Sequence, residues 1–255
     1  CFYEVINQCN TVIHYAPGVN AIDPNFTDSE LDATIAEATT LRALCYFYLI
    51  RTFRDVPYVT SPSIDDSQNY QVAATPFETV LESIIADVEA VKEDAVRSYG
   101  EESVENTCRI TRWACYALLA DLYLWKGDWQ KCIDCCDMVI NQKIKEYEKE
   151  YEENPTTMTV ELYDIYPLIS ESLSNSNYAG NAYTEIFGAG NSFESIFELN
   201  FVNNQSVANN TVSSFYGSSS NKTGQIGAPT FLYSDAYAGL NDYFAKTDCR
   251  YLENM

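Results

Sequence analysis

Ala117-Leu118-Leu119-Ala120-Asp121-Leu122-Tyr123-Leu124-Trp125-Lys126-Gly127-Asp128-Trp129-Gln130-Lys131-Cys132 is two helix-forming runs hinged at one glycine. The first run has apolar residues at helical spacing, and Gly127 can take the left-handed backbone that ends a helix. Small residues (Ala117, Ala120, Cys132, Cys136) let two antiparallel helices approach closely, with Trp129 packed into the joint. The stretch therefore reads as a helical hairpin, with helices over about 110–126 and 128–141.

Working outward, the same pattern recurs. Phe2, Val5, Ile6, Cys9, Val12 and Ile13 form a 3.6-residue stripe, broken by Pro17-Gly18. Thr27-Asp28-Ser29-Glu30 is a capping box that opens a helix expected to run until Pro57 forbids continuation. Thr75-Pro76-Phe77-Glu78 reads as a second box, ahead of an amphipathic helix through Val80, Leu81, Ile84, Ile85 and Val88. The charge-dense run Lys143 to Glu153 extends a helix into solvent. From Ser170 to Pro229 Asn, Ser and Gly dominate, and Ser195 to Phe201 alternates as a strand does. The fold class is mainly α: helical hairpins over 1–150, then a loop-rich lobe with little β-structure over 151–255.

Such pairs are similar to tetratricopeptide repeats. A second stretch is more specific. Glu37-Ala38-Thr39-Thr40-Leu41-Arg42-Ala43-Leu44-Cys45-Tyr46-Phe47-Tyr48-Leu49, followed by Asp55-Val56-Pro57, resembles the EA-x-x-LRA-x-x-YF-x-L helix and DVP turn of the SusD/RagB family. Tyr3-Glu4-Val5-Ile6 with Asn10, the helix from Thr79 to Ala90, the helices from Arg109 to Ile140, Glu194-Ser195-Ile196-Phe197-Glu198 and Asp248-Cys249-Arg250 resemble further pieces in the family's order. The resemblance implies a non-catalytic, cell-surface lipoprotein of the outer membrane. It would bind oligosaccharides and pass them to a TonB-dependent, SusC-like transporter. Membrane attachment would run through an acylated N-terminal cysteine leader that this chain does not carry. The chain opens without Met at Cys1 and stops at Met255, as a piece of something longer does.

Composition agrees with those expectations. The chain has 255 residues, 46% hydrophobic and 20% charged, enough for a sizeable core. A net charge of −22 repels phosphate backbones and anionic headgroups, so nucleic acid is excluded as a partner. No stretch approaches the roughly 20 apolar residues of a membrane-spanning helix.

Catalytic chemistry finds little support. The only histidine, His14, reads as a helix-end residue, which leaves nucleophilic triads without their usual base. Asp65-Asp66-Ser67-Gln68-Asn69 lacks the Gly and Glu of a calcium loop and reads as a solvated loop. Cys132, Cys135 and Cys136 lack the second ligand pair of a zinc site, so the nine cysteines are expected as small buried residues. No cofactor or metal is expected. Carboxylate pairs for glycoside hydrolysis are unspecific among 37 acids.

Sugar binding needs flat rings beside planar polar groups, since rings stack on pyranose C–H faces while amides bond the hydroxyls. Trp113, Trp125 and Trp129 lie in the helical pattern and are expected in the core. The candidate glycan-binding residues are Tyr178, Tyr183, Phe215 and Tyr216, with Asn203, Asn204 and Asn221. Arg42 and Arg51 are expected to pair with local acids such as Glu37 or Asp55, and Asp55-Val56-Pro57 to be a structural turn. Two alternatives remain: a tetratricopeptide scaffold for a protein partner, and a glycoside hydrolase.

Overall fold

A computed structural model describes residues 2–64, 70–100, 103–153, 160–169, 182 and 184–200. The chain divides into two compact units, Cys1–Pro155 and Thr156–Met255.

The first unit contains α1 (Phe2–Asn20), α2 (Asp28–Phe53), α3 (Phe77–Val91), the single turn α4 (Glu105–Cys108), α5 (Arg112–Lys126) and α6 (Trp129–Glu153). α1 packs on α2, α2 on α3, α3 on α5 and α5 on α6, so each apolar stripe meets the next. The core runs through Ile6, Tyr46, Phe47, Ile50, Val80, Ile84, Val88, Leu119 and Leu122, all almost wholly buried. Each large apolar side chain among them contributes about 1.5–3 kcal/mol. Short side chains at Ala36, Ala38, Ala43 and Cys115 are buried along the same helices and allow their close approach.

Local chemistry sets the helix ends. Thr27 forms the expected box: its hydroxyl accepts from the Glu30 amide, and the Glu30 carboxylate accepts from the Thr27 amide at 2.8 Å. Those bonds hold the Glu30 carboxyl below its ordinary pKa. Thr111 caps α5, and Gly127 ends it in the left-handed region at φ 80°.

Several expectations are corrected. α1 does not stop at Pro17; it continues to Asn20, whose amide donates to the Phe26 carbonyl at 2.7 Å and to Asp28. The proline removes one backbone donor, and past the helix end the Ala21 amide donates to the Pro17 carbonyl. His14 therefore lies within the helix, exposed beside Tyr15, not at its end.

Thr75 does not cap α3. It pairs with Val56 in the two-residue ladder of β1 (Val56–Pro57) and β2 (Ala74–Thr75). The Phe77 amide is instead met by the Asp55 carboxylate at 3.0 Å, a cap supplied across the turn.

In the second unit, β3 (Val160–Tyr163) and β4 (Tyr166–Ile169) form an antiparallel hairpin with Val160 opposite Ile169, both buried. A π-helical turn follows at Thr184–Ala189. Residues 195–200 hold a bend at 196–197 and no regular structure, not the expected strand. The Glu198 carboxylate accepts from the Asn191 amide and the Ser195 hydroxyl, and this local bonding replaces a ladder. Glu194 accepts from the Ile169 amide at 2.9 Å.

Candidate functional site

Three charged residues of α2 each reach a partner far away in sequence. Glu37 receives Arg109 through two parallel bonds, Nε to Oε1 at 3.1 Å and Nη2 to Oε2. Arg42 donates to the Asn10 side-chain oxygen and to the Asp87 carboxylate, both at 2.9 Å. Arg51 pairs with Asp121 and lies over the rings of Phe47 and Tyr48. The local pairings expected for Arg42 and Arg51 are therefore wrong. Residues adjacent along the chain point to different helices, and the acids they meet come from α3 and α5.

Around Arg42 the network becomes a strap for the segment after the DVP turn. Asn10, 1% exposed, donates through its amide to the carbonyls of Val59 (3.1 Å) and Ser61 (3.2 Å). The Tyr46 hydroxyl donates to the Val59 carbonyl at 2.8 Å and accepts from the Val59 amide at 2.7 Å. Tyr3 donates to the Pro57 carbonyl at 2.9 Å, and the Ser63 amide donates to Asn7 at 2.7 Å. The Tyr58 hydroxyl donates to Asp87 at 3.1 Å. Burial pushes the Tyr46 hydroxyl up to about 12, and burial with the Asp87 charge pushes Tyr58 higher still. Both remain neutral donors at any physiological pH. A loop segment is thus fixed on α1, α2 and α3 by side-chain bonds.

On the outer side of this strap lies an open groove of ≈ 480 Å³. Tyr3, Pro57 and Val59 form one part of its lining, Ser61 and Ser63 another, and Tyr70 and Val72 a third. Tyr70 is 63% exposed. The lining combines a presented ring, aliphatic surface and hydroxyls, and among its described residues none carries a formal charge at neutral pH. Such a surface can stack on a ligand face and exchange hydrogen bonds with neutral groups.

The tryptophans also depart from expectation. Trp125 and Trp129 are 48% and 63% exposed, and Trp113 is half-buried. Trp125 meets Phe47 edge-on and lies 6.1 Å from Phe77, so one side packs while the rest faces out. Trp129 begins α6 beyond the hinge and is not packed into the joint. Helical spacing locates a residue on a face but does not say whether a neighbour covers that face.

Cys9, Cys45, Cys115 and Cys135 are buried as expected, and Cys108, Cys132 and Cys136 are half-buried; all seven are free thiols. Ile133, next to Cys132, is half exposed. Among the described residues no cluster of His, Cys, Asp or Glu could hold a metal ion, and no helix is long and apolar enough to cross a membrane.

All seven candidate residues, Tyr178, Tyr183, Asn203, Asn204, Phe215, Tyr216 and Asn221, lie outside the described residues, as does the loop 65–69. Tyr3 and Tyr70 were not among the candidates. Tyr70 carries the signal used for the others, an aromatic residue in a polar loop; Tyr3 is concealed by its helical spacing.

Comparison with known proteins bears on the helical half. Residues 1–124 match the family SusD-like, described as starch-binding and associating with outer membrane. The helical half of the chain is thus similar to the SusD-like proteins. A SusD-like protein of Bacteroides ovatus is 30% identical over 138 residues, covering 50% of this chain and 22% of the relative. SusD-like protein P2 of Formosa agariphila is 29% identical over 143 residues, covering 56% and 26%. The chain spans about a quarter of the length of the curated relatives it matches. Among solved structures, a SusD superfamily protein from Bacteroides thetaiotaomicron aligns with TM-score 0.51 and 26% identity, covering 56% of this chain and 33% of that one. The mainly helical architecture is therefore similar to that of a SusD superfamily protein.

Proposed function

We propose that the whole protein binds oligosaccharides at the outer cell surface without cleaving them and delivers them to a TonB-dependent, SusC-like transporter. The observation that carries this reading is the SusD-like match over residues 1–124, on a helical scaffold whose motif residues are engaged in the fold. In this reading 1–150 is the scaffold and 151–255 a ligand-facing lobe. Tyr178, Tyr183, Phe215 and Tyr216 would stack on sugar rings there, and Asn203, Asn204 and Asn221 would bond their hydroxyls. Three acids of the matched segment favour a binding over a catalytic role. Glu37 is taken by Arg109, Asp55 caps a helix, and Asp87 is shared by Arg42 and Tyr58.

Affinity electrophoresis of the full-length protein against a polysaccharide panel tests binding. Retardation by at least one polysaccharide, with no release of reducing ends, is expected. Release of reducing ends that one carboxylate substitution abolishes would overturn the non-catalytic reading. Delivery is tested by affinity purification from solubilised outer membranes, where a large barrel protein should co-purify.

A further inference from the structure

From the groove beside the strapped segment, we infer that the helical unit carries its own glycan subsite, selective for an uncharged pyranose, with Tyr70 as the stacking platform. This inference rests on the proposed carbohydrate function and adds a place and a ligand class to it.

Three observations support it. The first is rigidity on one wall. The segment 57–63 is held by side-chain bonds from Tyr3, Asn7, Asn10 and Tyr46, so that wall is organised before a ligand arrives. The second is chemical mixture. Tyr70 and Val72 expose apolar surface at 63% and 41%, while Ser61 and Ser63 place small hydroxyl side chains in the same lining. A pyranose has the matching pair of features, a C–H face and an equatorial rim of hydroxyls.

The third is charge. No described lining residue is ionised at neutral pH, and burial raises the Tyr3 hydroxyl further from ionisation. The chain as a whole carries a net charge of −22. A uronate or sulfate here would give up hydration without gaining a cationic partner among the described lining residues, so binding it is disfavoured. The volume of ≈ 480 Å³ and the open form suit one or two sugar units of a longer chain.

The test is isothermal titration of the full-length protein with neutral gluco-, xylo- and manno-oligosaccharides and with an oligogalacturonate of equal length. At least one neutral probe should bind, and the oligogalacturonate should bind at least about 10-fold more weakly. Tyr70→Ala should weaken the neutral probe about 3- to 10-fold, the loss of one stacked ring. Tyr70→Phe should restore most of that loss. Val72→Asp, a second exposed groove position, should also weaken binding, and it serves if Tyr70→Ala fails to fold. Neutral binding unchanged by Tyr70→Ala and Val72→Asp would overturn the groove while leaving the proposed function standing. Preference for the oligogalacturonate would overturn the ligand class. Binding of no glycan at all would sink the proposed function itself, and this inference with it.

Discussion

Replacing Asn10 by Ala tests whether one buried amide holds the groove segment to the helices. Asn10 is 1% exposed and makes three bonds, donating to the carbonyls of Val59 and Ser61 and accepting from the Arg42 guanidinium. Two neutral bonds are worth about 1 kcal/mol each, and the bond to a charged donor about 1.5–3 kcal/mol. Arg42 is buried and Val59 half-buried, whereas Ser61 is exposed and water can replace its bond, so about 2.5–4 kcal/mol should appear as lost stability. With a urea m value of about 1–3 kcal/mol/M, the unfolding midpoint should fall by more than about 1 M. Asn10→Asp keeps the acceptor for Arg42 and loses both amide donors, so its loss should be intermediate. Asn25→Ala is the control, because Asn25 is exposed and bonds only its neighbour Asp23; its effect should stay within about 0.5 kcal/mol. Urea unfolding followed by far-ultraviolet circular dichroism measures all three. An Asn10→Ala loss no larger than that of Asn25→Ala would refute the reasoning and make the strap incidental to stability.

Two further outcomes follow from the same geometry. Asp55→Ala should cost about 1 kcal/mol by uncapping α3, while Thr75→Ala costs little; amide exchange at the first turn of α3 distinguishes them. Burial holds the thiols of Cys45, Cys115 and Cys135 at about 11, against an ordinary value near 9. Between about pH 9 and pH 11 the unfolded chain has released protons that the folded chain retains, so stability should decline with rising pH. A urea midpoint that stays flat across that window would contradict the burial of these thiols.

Most of the helical half was legible in the residues because its signals are local. The Thr27–Glu30 box, the hinge at Gly127 and the apolar stripe of α3 each act within a few residues, through backbone bonds and helical geometry. The motif helix was recognisable for the same reason. Its side-chain partners were not, since a 3.6-residue period gives the direction of Arg42 but not that Asn10 of α1 and Asp87 of α3 meet there. Where a remote group outcompeted a local one, the local reading failed: Asp55 took the cap expected of Thr75. Exposure of Trp125 and Trp129 likewise depends on which neighbouring surface covers a face. The amino-acid order alone thus determined which stretches are helical and which apolar flanks they turn to one another, though not the end of α1 or the cap of α3. Only the tertiary structure decided which polar groups pair and where Tyr3 and Tyr70 come together in one groove, because those contacts join positions dozens of residues apart.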